Sequence, residues 1–277
     1  MSLTLTLTQT LTLTLTQVND QVRRLSWTIL PTATPIVRAS AGAEAGVRGA
    51  GAHALASPAA RFGVRQATAA DRAGVMRVCL RTGDEGADAT AQYAADPDAL
   101  GKRWAAPYVD LERELALVLE DRRSGEVVGY CLAALDTARF AARLQSEYLP
   151  PLRAAHANPR VLGVPESAWT AEQSVYAELH DPHAGKSPVG LDTALYPSHV
   201  HIDVVQVAQG CGQGKRLMGA MLSGLRALGS CGVFLQMHEA NVRARRFYEK
   251  LGFEELAGVG TDGPAGTGGA LYLGLRL

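Results

Sequence analysis

The sequence predicts an α/β fold in which helices cover a central sheet, and three observations carry that expectation. From residue 198 onward, short apolar runs alternate with amphipathic stretches. They read as strand (His199 to Gln206), helix (Gly212 to Leu228), strand (Val233 to Met237), helix (Asn241 to Leu251) and strand (Phe253 to Val259). Leu115 to Glu120 and Val127 to Leu132 are apolar runs joined by Arg122-Arg123-Ser124-Gly125, a turn composition, so these two strands should pair antiparallel. No run of about 18 uninterrupted apolar residues occurs, so the apolar segments read as core rather than as a membrane span.

The remaining elements follow in chain order. Residues 1 to 16 alternate Leu and Thr, and residues 31 to 60 are rich in Ala, Gly, Pro and Ser. Neither offers enough burial to offset backbone entropy, so residues 1–60 are expected to be a disordered low-complexity tail and linker, with the domain spanning 61–277. Phe62 to Ala67 has strand-like alternation, and Thr68 and Asp71 are helix-start residues for a helix running to about Thr82. Gly83-Asp84-Glu85-Gly86 ends that helix, and Pro97 opens a second containing Leu100, Trp104 and Tyr108. Residues 138–197 read as an insertion, helical around Phe140 to Tyr148 and Glu166 to Tyr176 but interrupted by Pro150, Pro151, Pro159, Pro182 and Pro188.

With 277 residues the chain can form one large domain with appendages or two small ones. Its 27 Lys plus Arg balance 27 Asp plus Glu, which argues against nucleic acid or an anionic membrane as an obligatory partner. Cys79, Cys131, Cys211 and Cys231 stand too far apart for a zinc cage or a disulfide scaffold, and a cytoplasmic location is the default. His180 and His183, split by Pro182, do not make a metal motif, and no metal is expected.

Chemistry concentrates in Gln209-Gly210-Cys211-Gly212-Gln213-Gly214-Lys215-Arg216, between an apolar strand and an amphipathic helix. Glycines let backbone N–H groups approach a diphosphate, and the helix directs the positive end of its dipole at the same spot. A kinase-type loop would need Ser or Thr after Lys215, where Arg216 stands, and a dinucleotide fingerprint would need glycine where Lys215 is. Both readings fail, yet an anion site remains.

Gln209, Gly212 and Gly214 resemble the acetyl-CoA motif of the GNAT superfamily, Gln/Arg-x-x-Gly-x-Gly/Ala. Asn241, Ala244, Phe247-Tyr248 and Leu251-Gly252-Phe253 resemble that family's second motif at the family's spacing. A narrower resemblance runs over most of 62–258 through Cys79 to Asp84, Asp88 to Thr90, Asp96-Pro97, Ala106 to Tyr108, Gly129-Tyr130, Ala134 to Asp136 and His201 to Asp203. It is to the acetyltransferase-like C-terminal domain of animal O-GlcNAcases and its free-standing bacterial relatives.

The resemblance implies a GNAT fold, a mixed, mostly antiparallel twisted sheet with helices on both faces. It implies acetyl-CoA as cosubstrate and direct transfer to a primary amine, on a small molecule or a protein, in a ternary complex. It further implies diphosphate contacts from Gln209, Gly210, Cys211, Gly212, Gln213, Gly214 and Lys215, with help from Arg216. Cofactor contacts are also implied from Val204, Val205, Asn241 and Arg245, with a backbone N–H near Val204 stabilising the thioester oxygen. Tyr248 stands where the family often has the tyrosine that protonates the departing thiolate.

The amine needs a base, and His201 and Asp203, on one side of their strand, are the candidates, with His199 behind them. Asp84, Asp88 and Asp136 are candidate acceptor-binding residues, with Thr90, Arg139, His180 and His183 near them in sequence. Family members often form homodimers. The competing reading is a non-catalytic acyl-CoA-binding or interaction module, which kinship with the animal domain suggests.

Overall fold

The computed structural model describes residues 58–260 and 269–277. The expected tail and linker lie outside the described residues except for Pro58 to Ala60. Seven strands among the described residues form one sheet. They are β1 (Phe62–Gln66), β2 (Ala116–Asp121), β3 (Glu126–Ala134), β4 (Ser198–Val204), β5 (Gly232–His238), β6 (Glu254–Glu255) and β7 (Ala270–Arg276). Their order is β1-β2-β3-β4-β5-β7-β6, and every neighbouring pair is antiparallel except β4 with β5. After β1 the α-helices are α1 (Arg72–Arg81), α2 (Ala99–Trp104), α3 (Ala106–Leu111), α4 (Thr137–Arg143), α5 (Leu149–Ala155), α6 (Ala171–Leu179), α7 (Gln213–Ala227) and α8 (Val242–Glu249).

The expected hairpin forms. β2 and β3 pair from Ala116↔Leu132 to Asp121↔Glu126, and Gly125 turns between them at φ +73°. Nearly every β3 residue is buried, as the unbroken apolar run requires of a central strand covered on both faces. Helix α7 buries Leu217, Met218, Met221, Leu222 and Leu225, one helical stripe, and packs along β1 to β4. Ahead of α1, Thr68 and Asp71 close a reciprocal capping box around a single 3₁₀ turn.

Three expectations are corrected. The helix opened by Pro97 is two helices, because Pro107 has no N–H to offer the preceding turn and its ring crowds the carbonyl four residues back. Tyr108 N–H consequently bonds to Ala105 O at 3.3 Å instead of to Trp104 O. Pro150 and Pro151, by contrast, do not interrupt their helix. They sit in the first turn of α5, after a π-helical turn at Leu144–Tyr148 whose wider winding makes room for them. The strand expected over Phe253 to Val259 shrinks to Glu254–Glu255, since Gly258 and Gly260 adopt φ +79° and +76°. The unforeseen β7 supplies the partner of β5 instead.

α1 and α2 pack so closely that a β-carbon on Gly101 would lie 2.6 Å from Met76 Cβ and 2.9 Å from its Cα. This contact sets where Trp104, at the end of α2, meets the sheet. Gly101→Ala should therefore destabilise the domain by about 1–3 kcal/mol, read as a lower denaturant midpoint at unchanged slope.

Candidate active site

The site begins where β4 and β5 part. The two strands share only the pairs Ser198↔Val233 and His199↔Phe234. That closed end is pinned by buried hydroxyls: Ser198 Oγ donates to Leu135 O at 2.5 Å and lies 2.7 Å from Ser230 Oγ. Val205 N–H bonds to Val128 O at 3.0 Å, and antiparallel alternation therefore turns Asp203 and His201 toward β3 as well. The backbone groups of Ile202 and Val204 point the other way, into the opening. The amide of Val205 belongs to the sheet and is not one of the donors facing the opening. Val204 keeps an outward amide, while its carbonyl accepts from Gln209 Nε2 at 2.6 Å.

Gln209 draws the loop after β4 back onto the strand. Gly210 and Gly212 each turn at φ +74° with open space around them, so the demand at both is for left-handed backbone and not for room. The first intrahelical bond of α7 is Arg216 N–H to Gly212 O at 3.1 Å. Ahead of it the amides of Gly210, Cys211, Gly212, Gly214 and Lys215 have no partner among the described residues, and the first turn holds no acidic side chain. Five unsatisfied donors at the positive end of a 15-residue helix form a cradle that fits a diphosphate. Gly214 lies against Phe247, whose ring carbons would be 3.3 and 3.4 Å from an added β-carbon, so α8 backs the cradle.

Several side chains expected on the cofactor are occupied elsewhere. Gln213 is buried, with Nε2 on Cys211 O and Oε1 accepting from Arg216 at 2.6 Å. Arg216 also donates to Phe62 O at 3.2 Å, tying the helix start to β1. Asn241 caps α8, accepting from Ala244 N–H at 3.0 Å and donating to Glu85 O at 3.1 Å. Arg245 pairs with Glu249 and Glu255 at 3.0 and 2.9 Å. Lys215 is exposed and makes no ion pair among the described residues.

On the β3 side, His201 and Asp203 come together. His201 Nδ1 donates to Trp104 O at 3.0 Å, the carbonyl that the α2–α3 break leaves free, and this fixes the tautomer. Its Nε2 lies 3.1 Å from Asp203 Oδ2. Burial works against a charged His201, but the Asp203 carboxylate outweighs it and raises the imidazole above its ordinary range. Tyr130, fully buried and the register partner of Asp203, donates its hydroxyl to the same Oδ2. Burial and the Asp203 charge hold that phenol well above its usual range, so it remains a donor. Burial likewise pushes the neighbouring Cys79 thiol up to about 12.

His199 plays a different part. Thr137 Oγ1 donates to Pro197 O and so accepts from His199 Nδ1 at 2.8 Å, leaving Nε2 to accept from Tyr108 at 2.8 Å. Both ring nitrogens are satisfied in the neutral form. Burial, with His201 nearby, pushes His199 down to about 3, and it serves packing beneath the site.

Tyr248 is buried beside Phe247 and Phe253, its hydroxyl without a hydrogen-bond partner among the described residues. Burial first, then the Asp203 charge, raises its pKa.

The expected acceptor residues divide. Asp136 is the N-cap of α4, its Oδ1 accepting from Arg139 N–H at 2.9 Å, and Arg139 pairs with Glu112. Asp88 holds Thr90 N–H at 2.9 Å in a local turn. Asp84 bridges to Ala87 in a loop that Glu85 ties across to His238 and Asn241. His180 bonds to His156 O and His183 lies by Lys186. Among the described residues no group of three His, Cys, Asp or Glu could hold a metal, and no helix is long and apolar enough to cross a membrane.

Sequence reasoning missed Tyr130 as a site residue and the Trp104 carbonyl altogether. The available signal was a tyrosine inside an otherwise apolar strand.

Comparison with known proteins follows this geometry. The family model for the acetyltransferase (GNAT) domain matches residues 172–255. The crystal structure of SsHAT is 37% identical and superposes on 78% of this chain and 98% of its own at a TM-score of 0.66. Protein O-GlcNAcase of Rattus norvegicus and that of Mus musculus are each 24% identical over 187 residues, 68% of this chain. The match spans only 19% of the length of either enzyme.

The two histidines should titrate in opposite directions. In a ring-nitrogen NMR titration His199 should stay neutral well below its ordinary 6.5, whereas His201 should hold its proton above 6.5. The unfolded chain protonates at position 199 below 6.5 while the native chain does not until about 3, so this residue makes native stability fall as pH drops through that window. The sign reverses for His201, whose stabilising contribution is complete below 6.5 and is lost as pH rises through its native value.

Proposed function

The chain belongs to the GNAT acetyltransferase family, and on that premise we propose that it moves the acetyl group of acetyl-CoA directly to a primary amine held beside Asp203. The observation that carries this is the set of five unpartnered amides from Gly210 to Lys215 at the start of α7. Those amides would hold the diphosphate, with Lys215 adding charge. The outward edge of β4 gives extended donors and acceptors at Ile202 and Val204 for the arm that reaches the reacting centre. Bound there, acetyl-CoA supplies the activated thioester.

The chain's own groups then have three tasks. Val204 N–H is the donor in the opening for the acetyl oxygen as that oxygen gains negative charge. The Asp203–His201 pair takes the proton that the ammonium must lose before nitrogen can attack. Tyr248 gives its proton to the departing sulfur, and the second proton shed by nitrogen on amide formation restores that phenol. One proton is released overall, as the conversion of an ammonium and a thioester to an amide and a thiol requires. The amine acceptor is a small molecule or a protein side chain, and the loop carrying Asp84, together with the region before β4, is where it would be selected.

Two measurements test the reading. Calorimetry with coenzyme A should show binding, and substituting Gly212 with valine should abolish it because the left-handed turn is lost. Thiol release from acetyl-CoA across an amine panel should find an acceptor. Tyr248→Phe should lower kcat by about 10²-fold with coenzyme A affinity unchanged. Tight binding with Tyr248→Phe and Asp203→Ala both harmless to every activity would instead make the chain a non-catalytic acyl-CoA-binding module.

A further inference from the structure

We propose that Tyr130 is the positioning residue of the acceptor site, pinning one oxygen of Asp203 so that the other alone faces the incoming ammonium; this rests on the acetyltransferase reading above. Asp203 Oδ2 receives the Tyr130 hydroxyl from β3 and stands 3.1 Å from His201 Nε2 on its own strand. Oδ1 has no partner among the described residues and is not sealed among the buried unsatisfied atoms, which are confined to Arg103 and Glu178. One carboxylate therefore has a committed oxygen and an open one, and the open one belongs to a residue on the strand that borders the opening.

The means of commitment is rigid. Tyr130 and Asp203 are direct register partners, so their Cα atoms are set by the β3–β4 ladder. Gly129 tightens that ladder: a β-carbon there would lie 3.0 Å from Asp203 O and 3.2 Å from Val204 Cγ2. Tyr130 is entirely enclosed, so its ring cannot swing away and no water competes for its hydroxyl. The other ionisable groups that feel Asp203 are His201 on β4, Cys79 on α1, Tyr248 on α8 and, on the opposite face of β3, Cys131. Burial keeps the two thiols neutral, so the phenol of Tyr130 and the ring of His201 are the donors that organise the carboxylate.

The role of Tyr130 differs from that of Tyr248. Tyr130 touches neither amine nor thioester and transfers no proton; it acts through Asp203.

Tyr130→Phe is the test, in the full-length chain. Acetyl-CoA affinity by calorimetry should be unchanged, while kcat/KM for the amine falls about 10-fold, chiefly through a raised KM for the amine. Added to Asp203→Asn, the same change should cost nothing further. Incorporating 3-fluorotyrosine at position 130 keeps both the shape and the donor, and should retain the wild-type KM for the amine that Tyr130→Phe loses.

A wild-type chain that binds acetyl-CoA but releases thiol with no amine would remove the acetyltransferase reading and this proposal with it. In an active chain, wild-type kcat and KM in Tyr130→Phe, with only thermal stability changed, would reduce Tyr130 to a packing residue and overturn this proposal alone.

Discussion

The fold depends on how briefly β4 and β5 touch. A parallel pair normally runs the length of its strands, and here it ends after His199. The cost is a row of main-chain groups on β4 without strand partners, which elsewhere would be a liability at a sheet edge. The rest of the sheet makes that arrangement affordable in structural terms: β4 is anchored along β3 through six register pairs, β5 along β7 through seven, and the buried Ser198–Ser230 contact clamps the closed end. The wedge between the two halves is thus held open by antiparallel ladders on either flank. The loop that leaves β4 at the wide end of that wedge has no alternative but to deliver the start of α7 there.

A second consequence concerns the polar cluster. Trp104 O, His201, Asp203 and Tyr130 come from α2, β4 and β3, and of their contacts only that between His201 and Asp203 is local in sequence. Each group has one partner that fixes its role: a carbonyl that can only accept, an imidazole oriented by it, a carboxylate between two donors, and a phenol too buried to ionise. His199, two residues before His201, shows the contrast. The same residue type on the same face is neutral and saturated because its neighbours are Thr137 and Tyr108 instead of a carboxylate. Environment, and not residue identity, divides the pair.

Much of this was legible in the sequence, and the reasons are physical. The β2–β3 hairpin, the amphipathic α7 and the glycine loop are written in periodicities and turn residues that act over a few positions. His201 and Asp203 could be placed on one face because alternation along a strand is local. Tyr130 could not be paired with Asp203, since more than 70 residues separate them and nothing in either segment declares the register. Asn241 and Gln213 are drawn toward the cofactor by their places in the family motifs and Asp136 toward the acceptor, whereas the structure uses the side chains of Asn241 and Asp136 as caps and that of Gln213 as a brace. The prolines misled in both directions. Pro107 breaks a helix that the apolar spacing continues, and Pro150 and Pro151 are absorbed where interruption was expected, because the outcome hangs on whether the preceding turn can widen.

The bond between His201 and Trp104 has an implication for how such a site can change over generations. The acceptor atom is main chain, so no replacement of the indole can delete it; the orientation of the imidazole is inherited with the path of the polypeptide and not with the identity of residue 104. Drift at that position is free to alter what surrounds the ring. The proton-bearing nitrogen is guarded by Pro107, three residues downstream, whose loss would let the helix close over the carbonyl and reclaim it.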